Sequence, residues 1–333
     1  MRKGRYLKAA VIGCGYMGAS VNQFSAAVQP ATHAGAYRDN PHIKLVGLVD
    51  TNEEKRMIAA RHFPNIPLYK DSDALYAVSV PDIVSVATPS AYHEREVGNA
   101  ARHRVKAVIC EKPIAESSDA GRRMVAICRE NGTLLFINHQ RRFDPLLRSW
   151  AQKVSEGMLG EMYQADAYYY NGLFNNGPHL IDLIRLFCGD VAAVQGFRND
   201  DTAKQCADMN IDGWLFMKNK MRIALHTLSK NYGFFELRVF GDWGMLNVSH
   251  LCFTVEYRKK IASRDIKGYF TLSEPIIAGT PRSMLKATVA HVVDCLGGAA
   301  QPHGTGEDGV AAVAVLEALR KSAEQGEKRI ELS

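Results

Sequence analysis

No stretch of the 333 residues approaches the ~18 uninterrupted apolar residues that a helical membrane span needs. No membrane partner is expected. The sequence also lacks CxxC pairs. Its seven cysteines are an odd number without regular spacing, and most sit in apolar runs such as Val108-Ile109-Cys110. A disulfide framework is excluded by that pattern, and reduced buried thiols, as in the cytoplasm, are expected. Neither HExxH nor any histidine spacing typical of metal ligands occurs, so no metal is expected. Basic residues are not gathered into a stripe with interleaved aromatics: the net charge of +6 is spread among 35 acids. That argues against a nucleic-acid partner and remains compatible with anionic small molecules. The basic start, Met1-Arg2-Lys3-Gly4-Arg5, leads into a strand-like run rather than a secretory apolar region, so no export is expected. Internal repeats and low-complexity tracts are absent too.

What is present is enough apolar sequence, 47% of the residues, for two cores. From Tyr6 to about Asn138, continuous β-branched runs alternate with helical stretches. Strands are predicted at Lys8–Ile12, Ile43–Val49, Asp82–Ala87, Val105–Cys110 and Thr133–Asn138, and helices at Asn52–Phe63, Ala91–His103 and Ser117–Asn131. Continuous rather than alternating runs fit parallel strands covered on both faces. After Arg142 the pattern changes to consecutive strands with short connections, near Glu161–Tyr170, Gly213–Met217, Met221–Thr227, Phe234–Phe240 and Phe253–Tyr257, with helices at Pro145–Glu156 and Pro178–Phe187 and two more near the end. The expected class is α/β: a Rossmann doubly wound parallel sheet over residues 1–142, then an α+β domain with a mainly antiparallel open sheet over 143–333. Its final helices are expected to return toward the first domain.

The run Ala9-Ala10-Val11-Ile12 leads straight into Gly13-Cys14-Gly15-Tyr16-Met17-Gly18. In G-x-G-x-x-G after a strand, the first glycine allows a tight turn, the second lets backbone approach a pyrophosphate, and the third lets helix and strand pack closely. Asp50, with Thr51, follows the second strand, where a carboxylate can accept from an adenosine ribose and oppose a 2′-phosphate. NAD is therefore favoured, although Lys55 and Arg56 keep NADP open. Asp50 could also cap the helix that starts near Asn52, and the two roles are not exclusive. It also lies farther beyond Gly18 than the usual spacing of about 20 residues. Ser25–Asn40, containing Pro30, His33 and Gly35, is read as an insertion after the first helix, forming a surface loop or part of a pocket wall.

Thr88-Pro89-Ser90-Ala91-Tyr92-His93, then Cys110-Glu111-Lys112-Pro113 and later Gly177-Pro178-His179-Leu180-Ile181-Asp182, complete a pattern with the glycine loop. Together they resemble the glucose-fructose oxidoreductase, inositol dehydrogenase and rhizopine catabolism (Gfo/Idh/MocA) family over essentially the whole chain. The resemblance implies a nicotinamide-dependent dehydrogenase or ketoreductase acting on a sugar, cyclitol or nucleotide-sugar, assembled as a homodimer or homotetramer. It implies that Lys112 lies beside the nicotinamide, where an ammonium can hydrogen-bond the substrate oxygen and relay a proton. Taken alone, such a lysine could be a solvated surface residue. His179 is the implied general base, with a satisfied core histidine as the alternative. Asp182, three residues on, shares its helix face and could orient it. Tyr170, Asn171, Asn175 and Asp182 are implied substrate contacts. Thr88, Pro89, His93 and Glu111 are implied to line the cofactor cleft with Tyr16 and Met17, and His93 could instead cap or pack locally.

The chain departs from the family pattern at Asn175, four residues before His179, where many members carry aspartate. An amide can position a hydroxyl but cannot act as a carboxylate base. Catalysis would then rest on Lys112 and His179. Two alternatives follow: the family's NAD-dependent glycosidase branch, which gives net hydrolysis, and a dinucleotide-binding regulator without chemistry.

Overall fold

The computed structural model describes residues 6–20, 26–204 and 206–332. The chain divides into two compact units, one of residues 1–144 and 282–311, the other of residues 145–281 and 312–333. The sequence boundary at 142/143 thus compares with 144/145 in the structure, and residues 282–311 join the first unit. Among the described residues no helix is long and apolar enough to cross a membrane.

The first unit holds six parallel strands: β1 Leu7–Ile12, β2 Ile43–Val49, β3 Leu68–Tyr69, β4 Ile83–Val86, β5 Ala107–Cys110 and β6 Leu134–Ile137, in the order β3-β2-β1-β4-β5-β6. β4 and β5 are buried at every position, which is why their apolar runs do not alternate. Each fully buried Val or Ile there contributes about 1.5–3 kcal/mol relative to exposure. Helices are delimited by caps: Asn52 accepts from Lys55 N at the start of Glu53–His62, and Ser117 accepts from Ala120 N before Ser118–Asn131, which ends on Gly132 at φ +70°. Strand order reverses between β1 and β4, and ligands of such sheets bind outside the carboxyl ends of the strands at that point.

The helix after β1 corrects the reading of Ser25–Asn40 as a loop. Gly18, Ala19 and Ser20 all donate to the Gly15 carbonyl, forming one turn. Helix resumes at His33–Arg38, where His33 N bonds Met17 O and Ala34 N bonds Gly18 O, both at 2.9 Å. In an uninterrupted α-helix those carbonyls accept from residues 21 and 22. Twelve residues are therefore inserted into the helix, whose hydrogen-bond ladder closes across them. Ser25 lies outside the described residues, but His33, Ala34, Gly35, Ala36 and Tyr37 are all buried, and Thr32 caps the resumed helix by accepting from Gly35 N. Without the insertion, Asp50 would stand at the usual distance of about 20 residues from Gly18.

The second unit is built on a ten-stranded sheet. Its strands are β7 Met162–Tyr170, β8 Val191–Arg198, β9 Ile211–Met217, β10 Arg222–Leu228, β11 Glu236–Gly241, β12 Gly244–Ser249, β13 Thr254–Ala262, β14 Phe270–Leu272, β15 Ile276–Ala278 and β16 Ile330–Glu331. The pairings are antiparallel except β7 with β10. In β7, Ala165, Ala167 and Tyr169 are buried while Tyr168 and Tyr170 are less so, a period of two that leaves one face covered. Helix Gly177–Cys188 packs against β7 and β11.

Candidate functional site

The glycine loop meets three different demands. Gly13 has φ +97°, and a Cβ there would lie 2.6 Å from the Ala87 carbonyl oxygen of the β4 end. A Cβ on Gly18 would overlap the Gly13 carbonyl. Gly15 is the opposite case, with nothing within 4 Å of its Cβ position. Two glycines thus allow the fold to close, and the third leaves open space. Asp50 holds this loop: its Oδ2 accepts from Cys14 N at 2.8 Å and its Oδ1 from Asn52 N at 2.9 Å. The helix cap is Asn52 rather than Asp50. Arg56 Nη1 donates to the carbonyls of Asp50 and Thr51 at 2.7 and 3.2 Å. Burial and the Asp50 carboxylate push the Cys14 thiol up to about 12, so it is not a nucleophile at neutral pH.

Thr88 and Pro89 follow β4, and Glu111-Lys112-Pro113 follows β5, at the same end of the sheet as the glycine loop. Thr88 Oγ1 is buried with no hydrogen-bond partner among the described residues. Tyr16, Thr51 and Pro89 are exposed, and Met17 and Lys112 are partly buried. His93, 1% exposed, stands between backbone carbonyls, its Nε2 2.9 Å from Thr88 O and its Nδ1 3.0 Å from Pro113 O. It ties the β4 turn to the β5 turn. The unpartnered Thr88 hydroxyl and the space at Gly15 fit a dinucleotide lying along these strand ends.

Glu111 is buried and its carboxylate is held from two sides. His33 Nε2 is 3.0 Å from Oε1, and Asn138 Nδ2 donates to the same oxygen at 2.7 Å. Lys112 N lies 3.4 Å from Oε2. Burial alone would push its pKa up, but the hydrogen bonds from His33 and Asn138 and the nearby Lys112 ammonium hold the carboxyl below the ordinary carboxylate range. Neither His33 nor Asn138 is found by sequence reasoning. The one available signal is Ser85, a hydroxyl inside the wholly buried strand β4.

In the second unit, β7 ends at Tyr170, and Asn171 (φ +64°) and Gly172 (φ +104°) turn the chain. Asp208 carries the following loop: its carboxylate accepts Phe174 N at 3.2 Å and Asn175 N at 3.0 Å. Asn210 Oδ1 accepts Gly172 N, and Asn171 Oδ1 accepts Ala207 N, each at 3.1 Å. Asn175 Nδ2 donates to Asn171 O at 3.0 Å and Asn176 Nδ2 to Tyr170 O at 2.9 Å. The loop leads into helix Gly177–Cys188, with half-buried His179 and buried Asp182 in its first two turns. Asp208 and Asn210 were missed because the sequence offers only a turn-like Asp-x-Asn before a strand.

The Gfo/Idh/MocA model, "Oxidoreductase family, NAD-binding Rossmann fold", matches residues 7–139, the span from β1 to just past β6. The match falls within the first unit. A D-apiose dehydrogenase of Paraburkholderia graminis is 25% identical over 96% of this chain and 88% of its own length. The D-glucoside 3-dehydrogenase of Escherichia coli is 27% identical over 48% of this chain, and the match spans less than half of that relative, 42%. Among solved structures, the WlbA dehydrogenase of Bordetella pertussis, in complex with NADH and UDP-GlcNAcA, superposes with a TM-score of 0.81 at 20% identity, covering 99% of each chain. At that identity the likeness speaks for the fold.

Proposed function

We propose that this chain is a Gfo/Idh/MocA enzyme that transfers hydride between NAD and a secondary alcohol or ketone of a sugar-like substrate. The carrying observation is the convergence, at one end of the parallel sheet, of the glycine loop, Asp50, Thr88 and Glu111-Lys112-Pro113. When bound, NAD supplies the hydride acceptor. In this reading Gly13, Gly15, Tyr16, Met17, Gly18, Thr51, Thr88, Pro89 and His93 contribute to its site, and Lys112 donates a hydrogen bond to the reacting oxygen and moves its proton. His179 acts as general base, oriented by Asp182, and Tyr170, Asn171 and Asn175 contact the substrate. Asp50 disfavours a 2′-phosphate, and Arg56 is already engaged by two carbonyls, which supports NAD over NADP. The sugar class is supported by the apiose, glucoside and nucleotide-sugar chemistry named for the relatives.

We place a subunit contact of a homodimer or homotetramer on β14 and β15, where Phe270 is 64% and Ile277 62% exposed, and the enzyme in the cytoplasm, in keeping with its free thiols. Light scattering tests the first point. The function is tested by screening free sugars and nucleotide-sugars with NAD and NADP for absorbance change. Turnover that yields hydrolysed glycoside without net NADH, or none with any sugar, would overturn it.

A further inference from the structure

We propose that His33 is a positioning residue for Lys112, fastening the glycine loop to the Glu111 carboxylate and so fixing the segment from which Lys112 projects. The proposal rests on the reading of Lys112 as the residue that handles the proton. Its basis is a chain of buried polar groups in which His33 and Tyr37 come from the helix that resumes after the insertion and Ser85 comes from β4. Tyr37 OH and Ser85 Oγ are 2.6 Å apart, Ser85 Oγ and His33 Nδ1 2.8 Å, and His33 Nε2 and Glu111 Oε1 3.0 Å. From the other side Asn138 Nδ2 donates to Glu111 at 2.7 Å and is itself steadied by Thr288, whose hydroxyl donates to Asn138 Oδ1 at 3.3 Å. His33, Tyr37, Ser85, Asn138 and Thr288 are all 0% exposed.

One ordering of protons satisfies every member. Tyr37 donates to Ser85, Ser85 to His33 Nδ1, and His33 Nε2–H to Glu111. Burial raises the Tyr37 phenol far above neutral pH, so Tyr37 enters the chain as an O–H donor. Reversing the sequence would leave a buried hydroxyl proton without an acceptor in this chain. All donors therefore run toward one carboxylate. The backbone of His33 simultaneously donates to Met17 O in the glycine loop at 2.9 Å. A single residue thus meets the two segments whose relative position sets the chemistry. The charged or titratable groups that face Glu111 are His33 and, through Ser85, Tyr37 from the resumed helix, and Cys110 and Lys112 from its own strand end. Asn138 and Thr288 add neutral dipoles.

The test compares His33→Phe, His33→Gln and Ser85→Ala in the full chain. Ionisation of Glu111 is followed by carbon NMR of glutamate-labelled protein, with its signal assigned from Glu111→Gln. Removing the His33 donor leaves only Asn138 and Lys112 to oppose burial, so His33→Phe should raise the Glu111 titration by about one pH unit or more, while His33→Gln, which keeps an N–H donor, should recover most of the shift. Ser85→Ala should move it in the same direction by less, and it serves as the decisive variant should His33→Phe fail to fold. Turnover of His33→Phe should fall about tenfold with its acid limb moved upward. NAD affinity should stay within about threefold, because the amide rather than the side chain of His33 meets the loop. A folded His33→Phe, or a Ser85→Ala, with an unshifted Glu111 titration overturns the proposal. The NMR readout needs no substrate, so a failure to find any sugar that turns over would overturn the proposed function and leave this test standing.

Discussion

The segments Glu111–Pro113 and Asn171–Asn176 both follow strands, yet they are supported in opposite ways. The first is anchored through a side chain: the Glu111 carboxylate sinks into a buried polar chain drawn from the helix His33–Arg38, β4, Asn138 just past β6, and Thr288. The second is anchored through its backbone, whose amides at Gly172, Phe174 and Asn175 are received by Asn210 and Asp208. A support that ends on a titratable group controls charge as well as position. A support that ends on amides controls shape only. Damage to the first should therefore register in turnover and its pH dependence, and damage to the second in substrate affinity.

The largest effect is expected at Lys112 itself. Lys112→Ala should lower turnover by about 10²–10⁴-fold while NAD binding, read by fluorescence quenching, is retained. Turnover within tenfold of the parent would remove the first segment from the chemistry altogether. Next come two glycines that look alike in the motif. Gly15→Val should leave thermal stability nearly unchanged and abolish dinucleotide binding, because only open space surrounds its Cβ position. Gly18→Ala, whose Cβ would overlap the Gly13 carbonyl, should cost about 1–3 kcal/mol of stability, measured by denaturant unfolding. Equal behaviour of the two variants would break the distinction.

On the second segment, Asp208→Ala strips the acceptor from Phe174 N and Asn175 N. It should raise KM for the sugar by about tenfold and change kcat less. A loss confined to kcat, or a new pH dependence, would erase the contrast between the two supports. The smallest effect is assigned to Asp50→Ala, which should erode the preference for NAD over NADP by less than about tenfold, judged from the ratio of the two kcat/KM values. An unchanged ratio would show that Asp50 serves the loop through Cys14 N and Asn52 N alone.

Much of the first unit could be read directly. Its strands are short, continuous β-branched runs, so β1, β2, β4, β5 and β6 follow from local composition. The two-residue β3 and the helix Ser72–Val78 went unread because neither has enough periodic sequence to stand out. In the second unit β8 and β12 were passed over. β12 is buried at every position and carries Asn247 and Ser249, which break its apolar run. The insertion was misread for a different reason: His33-Ala34-Gly35-Ala36-Tyr37 has no amphipathic pattern because burial surrounds it, and its first hydrogen bonds go to Met17 and Gly18.

The sequence by itself determined the fold class, the glycine loop and the residue types able to do hydride and proton chemistry, because motifs record what a segment needs locally. Only the tertiary structure decided what holds those residues. It showed that Gly15 alone of the loop glycines faces open space, that Asp50 clamps the loop, and that a serine in β4 and a histidine beyond an insertion reach Glu111. Such support comes from residues tens of positions apart, and hydrogen bonds between them leave no period in the chain. The physical reason is that a buried carboxylate must be met by donors wherever the fold can bring them, and the order of residues along the chain does not say which those are.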